Sequence, residues 1–505
     1  MPMGLMMLWW LLFLPSGQNW IGVVVDEGFV HHGAQRVLAG EVPHRDFFFL
    51  WTPGILWLHA LAQTLTGEFL YTGRLLVVGQ GLVLLWLQLR MARDLGLGGA
   101  ARILLWILVA VWGVSAWNMP YASWNAILCA WAAAHLLPRK PLVAGALLAL
   151  SFWFKQNVGL YAMAAVGAWG LWKSSPVARR ALVTAAAGVG GGWALFALLA
   201  GGGAALQAWR QWFVFPLTYR EVMAHPLPTR EMLLAFGVAL VALGGEARRS
   251  RRLLFFPVAA ALFYAFSRSW GFASATESFF FLAVLLAFPL FLAARRKELA
   301  GIRAETWLVL GVTAACGLQL YPRFDRAHFV FSFSVAVVPF VAALARLPRV
   351  WAAAWTLVIL AGGAQENAAA LRAAWGGERI FGLGARGDAA AYLGEMREVI
   401  DWLRRERGLK EGSPLVQIPV TTLFWPVSGF KNPTPHVQFF PQYVEAFGGR
   451  QDQVLGEAER NGAKLVVLDR WAETERWAPE LYFSLITGWR ETKRFPSHFS
   501  VWERP

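Results

Sequence analysis

The sequence predicts an all-α polytopic membrane bundle of about 13 transmembrane helices followed by a small outward-facing α/β domain at its C-terminal end. Three observations predict it. The first is composition: 57% of the 505 residues are hydrophobic and 15% charged, with 28 Trp and 36 Phe, far from a soluble globular chain. Apolar segments of bilayer-spanning length then recur along the chain between polar connections. Basic clusters, finally, fall in every second connection, which is where the positive-inside rule places cytoplasmic loops. The net charge of +15, from 46 Lys and Arg against 31 Asp and Glu, therefore belongs to membrane topology and not to a nucleic-acid face.

The spans are read at 3–25, 69–89, 103–117, 124–137, 142–154, 158–172, 181–200, 232–243, 253–266, 278–293, 307–320, 329–344 and 351–364. Arg90 and Arg93, Arg139 and Lys140, Arg179 and Arg180, Arg248 and Arg249, Arg295 and Arg296, and Arg346 and Arg349 mark the inward side. This alternation puts the N-terminus inside and the C-terminus outside. The opening MPMGLMMLWWLLFLPSGQ lacks a basic leader and a small-residue cleavage site, so it reads as a retained first helix. Cys129 and Cys316 each lie within an apolar helix and read as packing residues, with neither a disulfide framework nor a Cys metal site. There is no P-loop, dinucleotide fingerprint or short-period repeat, which argues against nucleotide-driven transport.

The stretch 24–54, VVDEGFVHHGAQRVLAGEVPHRDFFFLWTPG, concentrates Asp26, Glu27, Glu41, Asp46, His31, His32, His44, Arg36 and Arg45 between segments suited to lipid. Ionisable groups beside a bilayer are costly, so this density marks a site at the membrane surface. Phe29, Val30, Ala34, Val37 and Leu38 repeat at helical spacing and predict a short helix lying on that surface. Pro53 opens a second helix, 54–65, too short to span. The many Trp near helix ends fit an interfacial belt, with some free to stack on sugar.

Composition changes from about residue 367, where charge returns. The expected units are thus 1–364, a membrane domain whose first outward loop, 26–68, carries the site, and 365–505, an extracytoplasmic α/β domain. Within the latter, 389–406 is amphipathic, 415–419 (LVQIP) and 465–469 (LVVLD) read as buried strands with a helix at 452–461 between them, and 490–504 as a hairpin. The Pro- and aromatic-rich loop 421–441 is placed over the membrane site.

The acidic pair closing the first helix, the loop DEGFVHHGAQRVLAGEVPHRDFFFLWTPG and a helical bundle with an outward C-terminal domain resemble the GT-C superfamily of membrane glycosyltransferases. The nearest types are the bacterial protein O-mannosyltransferases and lipid A aminoarabinose transferases. Weaker echoes are FKQNVG at 154–159 and YPRFDRAHF at 321–329. The resemblance implies a hexosyl- or pentosyltransferase of the cytoplasmic membrane. It would move sugar from a polyprenyl-phosphate donor to a glycan, lipid or protein hydroxyl on the outer side. It also implies Asp26 as general base, with Glu27 or Asp46 orienting it, binding acceptor or holding a metal. Where some relatives carry His-Pro-Pro-Gly, this chain has Trp51, Thr52, Pro53 and Gly54, so no role for that His is carried over.

The chemistry asks for the same kit. A polyprenyl phosphate leaves as a phosphate monoester whose last ionisation is near pH ~6, so it needs cations more than an acid, while the acceptor hydroxyl needs a base. Lys155, Gln156, Arg323 and Arg326 are the candidate phosphate ligands, and His31, Arg45, Asp325 and His328 the candidate sugar or acceptor ligands. His31 and His32 suggest a metal, but adjacent helical residues face different ways. Metal dependence stays open, since the superfamily includes metal-dependent and metal-free members, and a divalent ion is the only cofactor in view. The rival reading is a secondary transporter or lipid-linked sugar flippase. That class favours inverted repeats and midplane charges, whereas here the charges cluster at one face. An O-antigen-ligase type would carry its active residues in a late loop.

Overall fold

The computed structural model describes residues 3–216, 287–288, 290–292, 294–320 and 326–505. It corrects the first expected span. Helix α1 (Met3–Leu11) stops before Pro15, and 3–25 is not one helix. Proline cannot donate to a helical ladder and clashes with the preceding turn, and here the freed backbone pairs elsewhere. Gly384 N donates to Pro15 O at 2.6 Å and Gly17 N to Gly384 O at 2.9 Å, so the break docks on the C-terminal domain. The short helix α2 (Trp20–Gly22) follows, then a π-helical turn over Val23–Glu27 and helix α3 (Gly28–Leu38).

Helix α3 forms where its spacing predicted a helix, with its apolar stripe packed inside the chain. Phe29, Val30, His31, His32, Ala34 and Arg36 are all buried, because α4 (Gly54–Thr66) packs on one side and the segment 422–434 on the other. The apolar stripe that reads as a lipid face is a protein–protein face inside one chain.

Helices α5 (Leu70–Asp94), α6 (Gly99–Trp112), α7 (Ala122–Leu136), α8 (Pro141–Phe154), α9 (Gln156–Trp172), α10 (Pro176–Ala200) and α11 (Gly202–Trp209) build the bundle with α12 (Ala304–Gly317), α13 (Arg326–Leu344) and α14 (Arg349–Gly376). Among the described residues α5, α10 and α13 are long and apolar enough to cross a membrane, and 99–112, 141–154 and 304–320 form shorter apolar helices. The expected spans at 232–243 and 253–266, and most of 278–293, lie outside the described residues. Helix α5 starts where the Glu68 carboxylate accepts the amides of Leu70, Tyr71 and Thr72 at 2.6, 3.0 and 2.9 Å. An anion there satisfies amides that lack helical partners and suits the helix dipole. Small residues bring α8 and α10 together: a Cβ on Gly145 would lie 2.4 Å from Ala181 O. That is how helices pack where lipid supplies no hydrophobic drive. Helix α13 is apolar on every side and correspondingly buried along its length.

Helix α14 runs past the expected boundary at 364 and delivers the chain to a hairpin of β1 (Glu378–Ile380) and β2 (Leu383–Ala385). Helix α15 (Asp388–Glu406) follows. A four-stranded sheet in the order β3-β4-β6-β5 completes the domain. Strands β3 (Val416–Ile418) and β4 (Leu465–Asp469) are parallel, while β6 (Phe499–Glu503) runs antiparallel to both β4 and β5 (Arg490–Arg494). Between β3 and β4 the chain forms α16 (Phe424–Ser428), α17 (Pro441–Ala446) and α18 (Val454–Arg460). β3 and β4 fall on LVQIP and LVVLD; both are buried throughout, as continuous apolar runs in a parallel pair should be.

Candidate active site

The π-helical turn sets the site. In it the Gly28 amide reaches back to the carbonyls of Val23 and Val25, and single π turns of this kind recur at functional sites. The turn separates the two acids. Glu27 is fully buried, whereas Asp26 is half-buried.

Glu27 is committed to Arg74. The guanidinium donates Nε to Glu27 Oε1 at 2.8 Å and Nη2 to Oε2 at 2.6 Å, with both side chains 0% exposed. Arg74 Nη1 donates on to Leu14 O at 2.6 Å and Ser16 O at 2.8 Å. A forked pair of this type combines strength with fixed geometry. It therefore ties the π turn, the 12–17 break and α5 together. His31 lies on the same side, with Nε2 3.7 Å from Glu27 Oε1, while His32 turns away and stacks on Trp425 at 4.6 Å. Among the described residues no three His, Cys, Asp or Glu side chains converge to hold a metal ion. With Glu27 engaged by Arg74 and the histidines on opposite faces, this donor set does not fit a divalent cation.

Asp46 shapes the loop. Its Oδ2 accepts the Val42 amide at 2.7 Å, and Arg45 donates to both its oxygens at 2.9 and 2.7 Å. The Arg45 guanidinium holds the Asp46 carboxyl below the usual carboxylate range. Arg45 itself is exposed, and Arg36 crosses beneath, donating to Glu41 at 2.5 Å and to Thr434 O at 2.9 Å with its guanidinium 4.6 Å from the Phe47 ring. His44 adopts a left-handed φ of 69° and is fixed in one tautomer. Trp212 Nε1 donates to His44 Nε2 at 3.1 Å, so Nδ1 carries the proton toward Gln211 Oε1 at 2.5 Å. Burial pushes its pKa down to about 4, so it stays neutral.

Around Tyr121 the structure gathers four separated segments. The Tyr121 ring lies 4.7 Å from Trp51, 6.2 Å from His328 and 4.8 Å from Phe331, and Lys155 Nζ is 5.5 Å from its centroid. Lys155 occupies the extended residue between α8 and α9, with φ −153° and ψ 106°. It is only 4% exposed, and its ammonium donates to Ser123 Oγ at 2.8 Å and Gln319 Oε1 at 3.5 Å. Gln156, next in the chain, points to Trp212 O at 3.5 Å. Arg326 pairs with Glu366 at 3.0 Å and with it borders a cavity of about 190 Å³. Gln18, Asn19, Val23 and Asn118 also line that cavity, which thus abuts the first residue of the π turn.

Of the residues expected from sequence, Lys155 and His328 meet at Tyr121, Arg326 sits at the cavity, and Glu27 closes the π turn with His31 beside it. Asp46 and Arg45 stabilise the loop beside them. Arg323 and Asp325 lie outside the described residues. Sequence reasoning missed Arg74, although a charge early in an apolar helix is itself a signal. It also missed Tyr121, Ser123 and Gln319, which carry no motif.

No protein-family model and no curated relative matches the chain. Two solved structures of ArnT from Cupriavidus metallidurans are similar. The structure bound to undecaprenyl phosphate aligns at a TM-score of 0.51 with 14% identity, covering 99% of this chain and 96% of that one. The apo structure aligns at 0.41 with 13% identity, covering 98% and 95%. The first of these gives the chain an ArnT-like fold end to end.

Proposed function

We propose, from the fold this chain shares with ArnT, that it transfers a sugar from a polyprenyl-phosphate donor to an acceptor hydroxyl at the outer face of the cytoplasmic membrane. The observation that carries the reading is Lys155, an ammonium buried at a helix break beside Tyr121. A cation fixed in place in this way can stabilise the negative charge that develops on a departing phosphate. The ArnT structure of the same fold holds undecaprenyl phosphate.

In this reading Lys155 and Gln156 take the donor phosphate, Arg326 and His328 border the sugar, and Asp26 takes the acceptor proton. The acceptor oxygen bonds to the anomeric carbon as the bond from that carbon to the phosphate oxygen breaks. The electron pair leaves with the polyprenyl phosphate. A preorganised cation stabilises that charge as it develops, and the base needs only to be within hydrogen-bond reach of the hydroxyl. Glu27 becomes a positioning residue through Arg74, and Asp46 a loop anchor. The C-terminal domain lies outside, over the site.

The test is transfer from a panel of polyprenyl-phosphate sugars by the purified protein in lipid, with Asp26→Asn alongside. Loss of transfer with retained donor binding supports the base. A folded protein that turns over no donor but moves a solute or lipid across vesicles would sink the reading in favour of transport.

A further inference from the structure

The turn that carries Asp26 is held from outside the bundle. In a regular helix the Gly28 amide would donate to Val24 O, but here it donates to Val23 O and Val25 O instead. The Val24 carbonyl is supplied by the C-terminal domain: Thr422 Oγ1 lies 3.0 Å from it and Leu423 N donates to it at 3.0 Å. Thr422 Oγ1 is also 2.7 Å from Val25 O. Two donors from a loop almost four hundred residues away in sequence thus replace the helical partner that the π register gives up.

The approach is close enough to dictate sequence. A Cβ on Gly28 would lie 2.2 Å from Leu423 N, so the residue after the acidic pair must be glycine. The donor loop is itself anchored. Thr421 Oγ1 and Tyr392 OH both donate to Asp469 Oδ2 at 2.5 Å, and Trp471 N donates to Oδ1 at 3.0 Å. Trp20, just before the π turn, stacks on Tyr392 at 4.4 Å and meets Trp471 edge-on at 4.6 Å. His32, just after it, stacks on Trp425. The segment is gripped before, at and beyond the turn by one domain.

We propose that Thr422 is a positioning residue for Asp26: its hydroxyl holds the π register of Val23–Glu27 and so aims the carboxylate. The proposal rests on Asp26 being the base. Without that hydroxyl the turn loses a donor and can relax toward α register, a change of one residue or roughly 100° about the helix axis.

Thr422→Val removes the hydroxyl at nearly constant volume, and Thr422→Ser restores it. The expected result for Thr422→Val is a fall in kcat of about 10- to 100-fold with KM and undecaprenyl phosphate binding within about twofold of the native protein. Thr422→Ser recovers most of kcat. In parallel, labelling of Asp26 by a hydrophobic carbodiimide, read by peptide mass spectrometry, changes rate in Thr422→Val and not in Thr422→Ser. Unchanged kcat, an effect confined to KM, or unchanged labelling overturns the proposal. If the native protein transfers no sugar, the proposed reaction fails and the labelling arm alone decides whether Thr422 sets Asp26. Thr422→Ala carries the same comparison if the valine variant does not fold.

Discussion

Replacing Arg74 with methionine removes a guanidinium that makes four contacts at once, two to Glu27 and one each to Leu14 O and Ser16 O. Both partners of the ion pair are 0% exposed, so the change leaves a carboxylate buried without its cation. Losing one member of such a pair costs about 3–5 kcal/mol, most of it the penalty on the charge left behind. The two carbonyls add roughly 1 kcal/mol each where water cannot replace the donor. Glu27→Gln strands the guanidinium in the same way, whereas the double variant strands neither, so a coupling of about 2–3 kcal/mol is expected. The assay is unfolding of the three variants and the native chain in mixed micelles, followed by Trp fluorescence and arranged as a double-mutant cycle. Additive losses would refute the pairing as a structural brace. So would a Glu27→Gln protein that keeps full stability and loses only turnover, which would return Glu27 to the reaction itself.

Two further outcomes follow from the same geometry. Lys155→Met should weaken undecaprenyl phosphate binding by at least about 30-fold, since truncating a buried charge partner of an anion costs about 2–5 kcal/mol and each 1.4 kcal/mol is about tenfold; titration of the lipid phosphate into the purified protein reads it. Asp469 is expected to make the chain less stable as pH rises. Burial lifts its carboxyl from the ordinary 3.8 to about 6, so the folded state holds a proton that the unfolded chain releases earlier. The stabilisation is complete below the ordinary value and is lost as pH rises through about 6, a span worth roughly 3 kcal/mol. Asp469→Asn should flatten thermal stability between pH ~4 and ~6, and an unchanged slope would show that another group dominates.

The apolar, helix-rich character and the two buried strands were legible because each is written locally, in composition and in runs such as LVQIP and LVVLD. What was not legible depends on distant contacts. The break after Leu11 is foreshadowed by Pro15, but its completion needs Gly384, which the sequence gives no reason to place there. Helix α3 has the periodicity of a surface helix, and periodicity reports an apolar stripe without saying whether lipid or protein covers it. A guanidinium early in an apolar helix demands a partner, so Arg74 could have been singled out, but Glu41, Asp46 and Glu68 all lie nearer to it in sequence than Glu27, the acid it pairs with.

The acidic pair itself shows why residue type alone assigns roles poorly. Adjacent residues on a helix point about 100° apart, so Asp26 and Glu27 meet different surroundings. The structure gives Glu27 to Arg74 and leaves Asp26 half-buried at the turn whose carbonyls the C-terminal domain holds. The same division runs through the rest of the loop. Asp46 caps a turn, Arg36 bridges to Thr434, and His44 is locked between Gln211 and Trp212. A loop dense in charge beside a bilayer therefore needs most of its charges to keep itself folded. Asp26, the proposed base, lies in the turn whose carbonyls Thr422 and Leu423 hold.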